Sequence, residues 1–177
     1  MTTDWLGDRA PAATIDLFLQ PGEIFVGNRE FRVRTLLGSC VSFTLWHPHL
    51  RIGAMSHCLL AGGPAGRPGL APRDARYCDD AFFLMTAGLA EHGVNVRECD
   101  AKLFGGGQMF APAAGRAPAP IGISNGQYAR HMLRAAGVRV RAEHLFGQGR
   151  RQIVFDIRDG AVWVRHVPPA IALEPPP

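Results

Sequence analysis

The sequence predicts an α/β fold: a strand-rich single domain whose mixed and antiparallel sheets form a layered sandwich flanked by about two main helices. Three observations predict it. The chain has 177 residues, the length of one ordinary domain and enough to bury a core. Hydrophobic residues make up 47% and charged residues 19%, a globular balance that excludes wholesale disorder. Short β-branched and aromatic runs outnumber helical stretches, and no internal repeat is present.

Residues 1–13 are polar and carry Pro and Ala without a period, which predicts a loose N-terminal segment ahead of a domain over residues 14–167. Strands are predicted over residues 31–36, 41–46 and 52–60. Residues 61–75, AGGPAGRPGLAPRDA, have neither period and read as a long mobile loop. A helix follows over residues 79–92, where Phe82, Met85 and Leu89 share a face and Gly93 supplies the stop. Residues 94–104 read as strand in pieces. A second helix is predicted to begin near Ser124, because Ser124-Asn-Gly-Gln127 has the form of a capping box, and to end at Gly137. Strands over residues 138–145, 153–157 and 161–167 complete the domain, the last two joined as a hairpin through Arg158-Asp-Gly160. The proline run of residues 168–177 reads as a tail.

Nineteen basic against fifteen acidic residues give a net charge of +4, with the arginines scattered rather than gathered, so nucleic acid is not expected as a partner. The same mild excess would steer an acidic protein. The first residues lack a basic region followed by an apolar one and no stretch reaches membrane-spanning length, so a cytoplasmic location without membrane insertion is expected. Cysteines 40, 58, 78 and 99 have no C-x-x-C spacing, which argues against a zinc ribbon and for reduced thiols.

Cys40 and His57 are the candidate reactive pair. If residues 41–46 and 52–60 form a hairpin with Trp46 facing Arg51, Cys40 falls directly opposite His57, where Cβ atoms lie about 4.5–5.5 Å apart. Ser42, Thr44 and Arg51 share their face, and Val41, Phe43, Leu45, Ile52 and Ala54 take the other. A thiol beside an imidazole is an activated nucleophile, and the imidazole can later protonate a leaving amine. Gly38 and Ser39 permit a tight approach and are assigned to substrate binding, and backbone N–H groups near Cys40 could hold an oxyanion. The competing reading makes Cys40 a small buried hydrophobe and His57 a core histidine.

The stretches Thr35-Leu-Leu-Gly-Ser-Cys40-Val-Ser and Gly53-Ala-Met-Ser-His57 resemble the signature segments of the chemoreceptor glutamine deamidase family, CheD. Pro21-Gly-Glu23, Arg76-Tyr77-Cys-Asp79, Lys102-Leu-Phe-Gly-Gly-Gly-Gln-Met-Phe110, Ile121-Gly-Ile-Ser-Asn125 and Gly149-Arg-Arg-Gln-Ile153 extend the resemblance. It implies a protein-glutamine glutaminase that hydrolyses side chains on the cytoplasmic helices of methyl-accepting chemotaxis receptors, without a cofactor or metal. Cys40 would attack the amide, His57 would carry protons, and a thioester would form and hydrolyse. Hydrolysis of receptor glutamate methyl esters follows the same chemistry. The resemblance also implies a third catalytic residue, a threonine shortly before the cysteine. Here Arg34 stands at the expected position and Thr35 one residue later, so Thr35 is assigned on condition that a bulge re-aims it. Other roles implied within the family are binding to a CheC-type phosphatase as a regulator and, by related chemistry, transglutaminase or thiol-protease use of the pair.

Gly105-Gly-Gly107 lacks the Lys-Ser/Thr of a phosphate loop. It reads as backbone passing close to the site, with Gly106 and Gln108 assigned to substrate binding, or as a plain tight turn. Tyr77 is assigned to the pocket and Asp79 with it, or the two begin the helix as packing residue and N-cap. His47 and His49 read as solvated loop histidines, Asn125 as part of a helix start, and Arg150 and Arg151 as a solvated loop or a contact for an acidic partner.

Overall fold

The computed structural model of the chain describes residues 14–64, 72–109 and 120–168. Among them the order is β1 (Ile15–Phe18), β2 (Ile24–Asn28), β3 (Phe31–Leu37), β4 (Val41–His47), β5 (Ile52–Ser56), α1 (Cys78–Glu91), β6 (Asp100–Gly105), α2 (Ile121–Ala135), β7 (Arg139–Leu145), β8 (Arg150–Asp156) and β9 (Val162–Val167). The strands make two mixed sheets, a four-stranded one in the order β1-β3-β8-β9 and a five-stranded one in the order β2-β5-β4-β6-β7. The first stacks on one face of the second, and both helices cover the other face, α1 over β2 and β5, α2 over β4, β6 and β7. The layered α/β domain expected from the sequence is the one observed.

Burial follows from this layering. In β3, Val33, Thr35 and Leu37 are buried and alternate with exposed Arg34 and Leu36, so one face looks inward and the other to solvent. Central β4 is buried at every position but Trp46, because both its faces meet another layer. Its odd-numbered apolar residues Val41, Phe43 and Leu45 join Met85, Leu89, Leu103 and Leu133 in a core beneath the helices. Cys40 and Trp46 point the other way, against Leu37, Met55, Ile153 and Phe155 between the sheets. Trp46 Nε1 donates to Ile157 O at 2.8 Å, which ties the sheets across that second core.

Several elements differ from the expected ones. β1 and β2 were not predicted: each is short, and Asp16 and Gly27 interrupt the apolar run. The first part of residues 94–104 is a 3-10 turn over Val96–Glu98, capped by the Asn95 side chain. Helix α2 begins at Ile121 rather than Ser124. Ile123 and Ser124 N–H groups both donate to Pro120 O, so Ser124 lies inside the first turn and caps nothing. Tyr77, not Asp79, is the N-cap of α1, and the Asp79 carboxylate accepts from Gly63 N. The C-terminal hairpin forms as expected, with Phe155 facing Val162 and Gly160 at φ +74 in its loop. Of the predicted loop over residues 61–75, residues 65–71 lie outside the described residues, as do both predicted terminal segments apart from residue 168.

The sheets approach so closely that Gly53 has no room for a side chain: a Cβ there would lie 2.8 Å from Phe155 Cζ and 3.2 Å from Ile157 Cγ2. Gly53→Ala should therefore cost about 1–3 kcal/mol in urea unfolding, and Phe155→Leu in the same chain should recover part of that loss. Strict additivity of the two substitutions would show that the sheets do not meet at this point.

Candidate functional site

Cys40 immediately precedes β4 and His57 immediately follows β5. Thr44 faces Met55, Leu45 faces Ala54 and Trp46 faces Gly53, not Arg51. Val41 and Cys58 exchange main-chain hydrogen bonds of 2.9 and 2.8 Å, so the register continues to the ends of the hairpin. That register sets His57 opposite Ser42 and makes Cys40 its diagonal neighbour, a relation with a typical separation of about 7–8 Å. The predicted direct pairing of Cys40 with His57 is thus corrected. The cause is the loop, which runs from Pro48 to Arg51: Arg51 N donates to His47 O at 2.9 Å, and Arg51 closes the turn at φ 52 instead of pairing. Moving a loop of fixed length by one residue shifts the register by two, which changes partners and preserves faces. Cys40 and His57 therefore share a face as expected. That face is roofed by the four-stranded sheet, leaving Ser42 and Thr44 buried and, among the described residues, their hydroxyls without partners.

Thr35 reaches His57 from the opposing sheet. Its Oγ1 lies 2.8 Å from His57 Nδ1 and donates its one proton to Leu19 O at 2.7 Å. The hydroxyl can then only accept from Nδ1–H, so the lone pair of the imidazole is on Nε2. No bulge is involved: β3 pairs regularly with β8 from Arg32 to Leu37. Counting back from Cys40 misleads because Gly38 and Ser39 carry the chain from one sheet to the other, so Thr35 and Cys40 do not belong to one strand's alternation.

The main chain of His57 is also fixed. Its N–H donates to Glu23 O at 3.0 Å and its carbonyl accepts from Gly22 N at 2.8 Å. Gly22 has φ +82, a conformation that L side chains rarely adopt, which accounts for the glycine in Pro21-Gly-Glu23. On the other side, Gly106 N donates to Cys40 O at 2.8 Å and Gly107 N to Gly38 O at 2.9 Å. A Cβ on Gly105 would sit 2.2 Å from Cys40 O, so the glycine run does let backbone pass against the cysteine. Asn125, expected only to start a helix, is buried and its Nδ2 donates to Ser39 O at 3.2 Å and Leu59 O at 2.7 Å. It links the Cys40 segment, the His57 segment and α2. Its amide in a helix otherwise polar on the outside was the available signal.

Burial disfavours the charged form of both members of the pair. Burial, then the neighbouring Cys58, pushes the Cys40 thiol above its ordinary value, while its own backbone N–H acts weakly the other way. Burial pulls the His57 imidazole below its ordinary value, opposed by smaller contributions from Leu19 O and Glu23. Cys40 is half-buried, whereas Cys58, Cys78 and Cys99 are fully buried and free.

Of the residues assigned to substrate binding, Gly38, Ser39 and Gly106 lie at Cys40 itself. Tyr77 bridges Leu60 just before α1, and Gln108 bridges Gln148. His47 is not solvated: it is buried, and its Nδ1 accepts from Leu50 N at 3.1 Å. Arg151 is likewise no loop residue but is buried in β8, donating to His144 Nδ1 at 2.8 Å and to Phe146 O. Among the described residues no His, Cys, Asp and Glu cluster could hold a metal ion, and no helix is long and apolar enough to cross a membrane.

A half-buried cysteine on the same face as, and diagonal to, a histidine whose free nitrogen is set by a threonine, on a layered α/β scaffold, has the outline of a cysteine hydrolase. Comparison with known proteins gives the particular family. Residues 59–166 match the family model described as CheD chemotactic sensory transduction. The chain is similar to the probable chemoreceptor glutamine deamidase CheD 2 of Albidiferax ferrireducens, 48% identical over 88% of this chain and 89% of that protein. It is 41% identical to the probable chemoreceptor glutamine deamidase CheD 3 of Dechloromonas aromatica over 88% and 89% of the two chains. A probable chemoreceptor glutamine deamidase CheD of Pseudomonas fluorescens is 36% identical over 94% and 93%. The chain belongs to the CheD family.

Two outcomes follow. Iodoacetamide should modify one thiol in the native protein, lost in Cys40→Ala, with a rate that climbs with pH and inflects above 9.0 because burial disfavours the thiolate. Asn125→Ala, which strips two buried carbonyls of their donor, should lower unfolding stability by about 1–3 kcal/mol in a denaturant titration.

Proposed function

We propose that this protein is an amide hydrolase that converts glutamine side chains of chemoreceptors to glutamate, with Cys40 as nucleophile, His57 as base and acid, and Thr35 as the residue that orients His57. The observation that carries the reading is the Thr35–His57 contact of 2.8 Å, since it leaves Nε2 as the unprotonated nitrogen of a ring held in place. The named activity of the relatives supplies the substrate class.

Because burial disfavours both the thiolate and the imidazolium, the proposed reaction starts by proton transfer. His57 Nε2 takes the thiol proton as Cys40 sulfur bonds to the amide carbon, whose oxygen becomes an oxyanion. The imidazolium then protonates the amide nitrogen, the C–N bond breaks, and ammonia leaves a thioester. A water gives its proton to Nε2 and attacks that carbon; the C–S bond breaks and the proton returns to sulfur, releasing glutamate. Val41, Gly106 and Gly107 N–H groups are committed to carbonyls, so they cannot serve the oxyanion.

Incubation with a receptor cytoplasmic fragment should add about one mass unit per converted glutamine, and Cys40→Ala should abolish the gain. Tight binding of a CheC-type phosphatase without conversion would instead support a regulatory role, and a gain matching an added amine would mark transglutamination. Thr35→Val should lower kcat about 100-fold while Thr35→Ser keeps it within about tenfold, because only the hydroxyl is needed to accept from Nδ1. The acid limb of kcat/KM should fall below 6.5: burial lowers the His57 pKa, so the base stays unprotonated to lower pH than a free imidazole would. An acid limb above 6.5 would sink the assignment of His57 as base.

A further inference from the structure

Among the described residues no helix covers the outer face of the four-stranded sheet, since both helices pack on the other sheet. Register places Phe18 beside Arg34, Arg34 beside Val154 and Val154 beside Trp163, one row across all four strands. The neighbouring row runs Leu36, Gln152 and Arg165. Phe18, Leu36 and Trp163 are 48%, 43% and 53% exposed, far more than a sheet face needs for its own stability. Arg32 on this face forms a salt bridge with Asp16 at 2.7 Å, and the same carboxylate also feels the charge of Arg34, whereas Arg34 and Arg165 form no salt bridge of their own among the described residues. Aromatic side chains interleaved with unpaired arginines are the composition of a protein-binding surface rather than of a solvated one.

We infer that this face docks an acidic segment of the protein substrate, whose carboxylates meet Arg34 and Arg165 and whose apolar side chains cover Phe18, Leu36 and Trp163. The charge on the face selects the occupant: a second copy of this chain would set these arginines against each other across a two-fold contact. Position favours it too. Leu36 precedes Cys40 by four residues, a reach of at most about 14 Å along the chain, so a segment lying on the face ends close to the nucleophile. The inference rests on the deamidase reading of the previous subsection and deepens it, because it places the specificity of the enzyme on a surface outside the Cys40 site.

The test compares the wild type with Arg34→Glu/Arg165→Glu, Arg34→Gln/Arg165→Gln and Phe18→Ala/Trp163→Ala on a receptor cytoplasmic fragment, reading conversion by mass. The charge reversal should raise KM at least tenfold with kcat within twofold, the glutamine pair should raise it less, and the apolar pair should raise it severalfold. Added salt should raise KM for the wild type and leave it flat for the reversed variant. Unchanged KM and salt dependence in all three variants, while the wild type converts the fragment, would overturn the inference. So would a wild-type dimer that Phe18→Ala/Trp163→Ala dissolves, or Trp163 fluorescence that becomes quenchable only after residues 1–13 are deleted, since each names another occupant. If the wild type converts nothing, the deamidase reading fails separately. The docking inference is then decided by fragment binding: it stands if the charge reversal weakens affinity tenfold and falls if affinity is unchanged or absent.

Discussion

Everything in the site depends on His57 having a single orientation, and four hydrogen bonds drawn from one connection, residues 19–23, and one strand impose it. Thr35 accepts from Nδ1, Leu19 O takes the threonine proton, and Gly22 and Glu23 hold the main chain on either side. Remove any one and the ring gains a rotamer or a tautomer that points its lone pair elsewhere. Such an arrangement requires two sheets. A histidine at the end of β5 in the five-stranded sheet is oriented by a threonine in the four-stranded sheet, so the layer spacing, set by Gly53 against Phe155, is part of the geometry of His57.

The sequence carried much of this, and its failures have a common physical origin. Face assignment in β4 and β5 was legible because alternation has a period of two, and the one-residue displacement of the loop at Pro48–Arg51 left it intact. Facing partners were not legible, since they depend on where the turn closes, and Arg51 at φ 52 is not a residue whose type announces a left-handed turn. Thr35 was selected for the right neighbourhood with the wrong reason. A local count along one strand cannot see that Gly38 and Ser39 change sheets. Asn125 was undervalued in the same way: its partners, Ser39 O and Leu59 O, are far away in sequence, and no local pattern encodes a side chain that bonds the ends of two strands. The misplaced capping box at Ser124 shows the reverse error, a good local motif overridden because Pro120 already starts the helix one turn earlier.

The match to the family model begins at residue 59, just beyond His57, and ends at residue 166. It therefore contains Gly105–Gly107 and Asn125, the parts that press on the Cys40 segment, but neither Cys40 nor Thr35. An alignment spanning 155 of 177 residues, by contrast, starts no later than residue 23 and must cross all three. Family membership thus shows in the segments that press on the Cys40 segment as well as in those that carry Cys40 and His57.

Burial that disfavours the charged forms of Cys40 and His57 bears on what selectivity means for an enzyme of this family. A preformed thiolate would react with any electrophile that reached it, and Cys40 is open enough to be reached. If Cys40 is the nucleophile proposed above, burial that disfavours both the thiolate and the imidazolium favours attack coupled to proton transfer, that is, with a carbonyl already in position. Positioning then has to come from contacts remote from the reacting atoms, because a primary amide offers few handles of its own and every glutamine offers the same ones. Discrimination between glutamines must therefore be made by surfaces that read the surrounding protein. Among the described residues the outer face of the four-stranded sheet carries no helix, and the docking proposed above would place that reading there, four residues from Cys40.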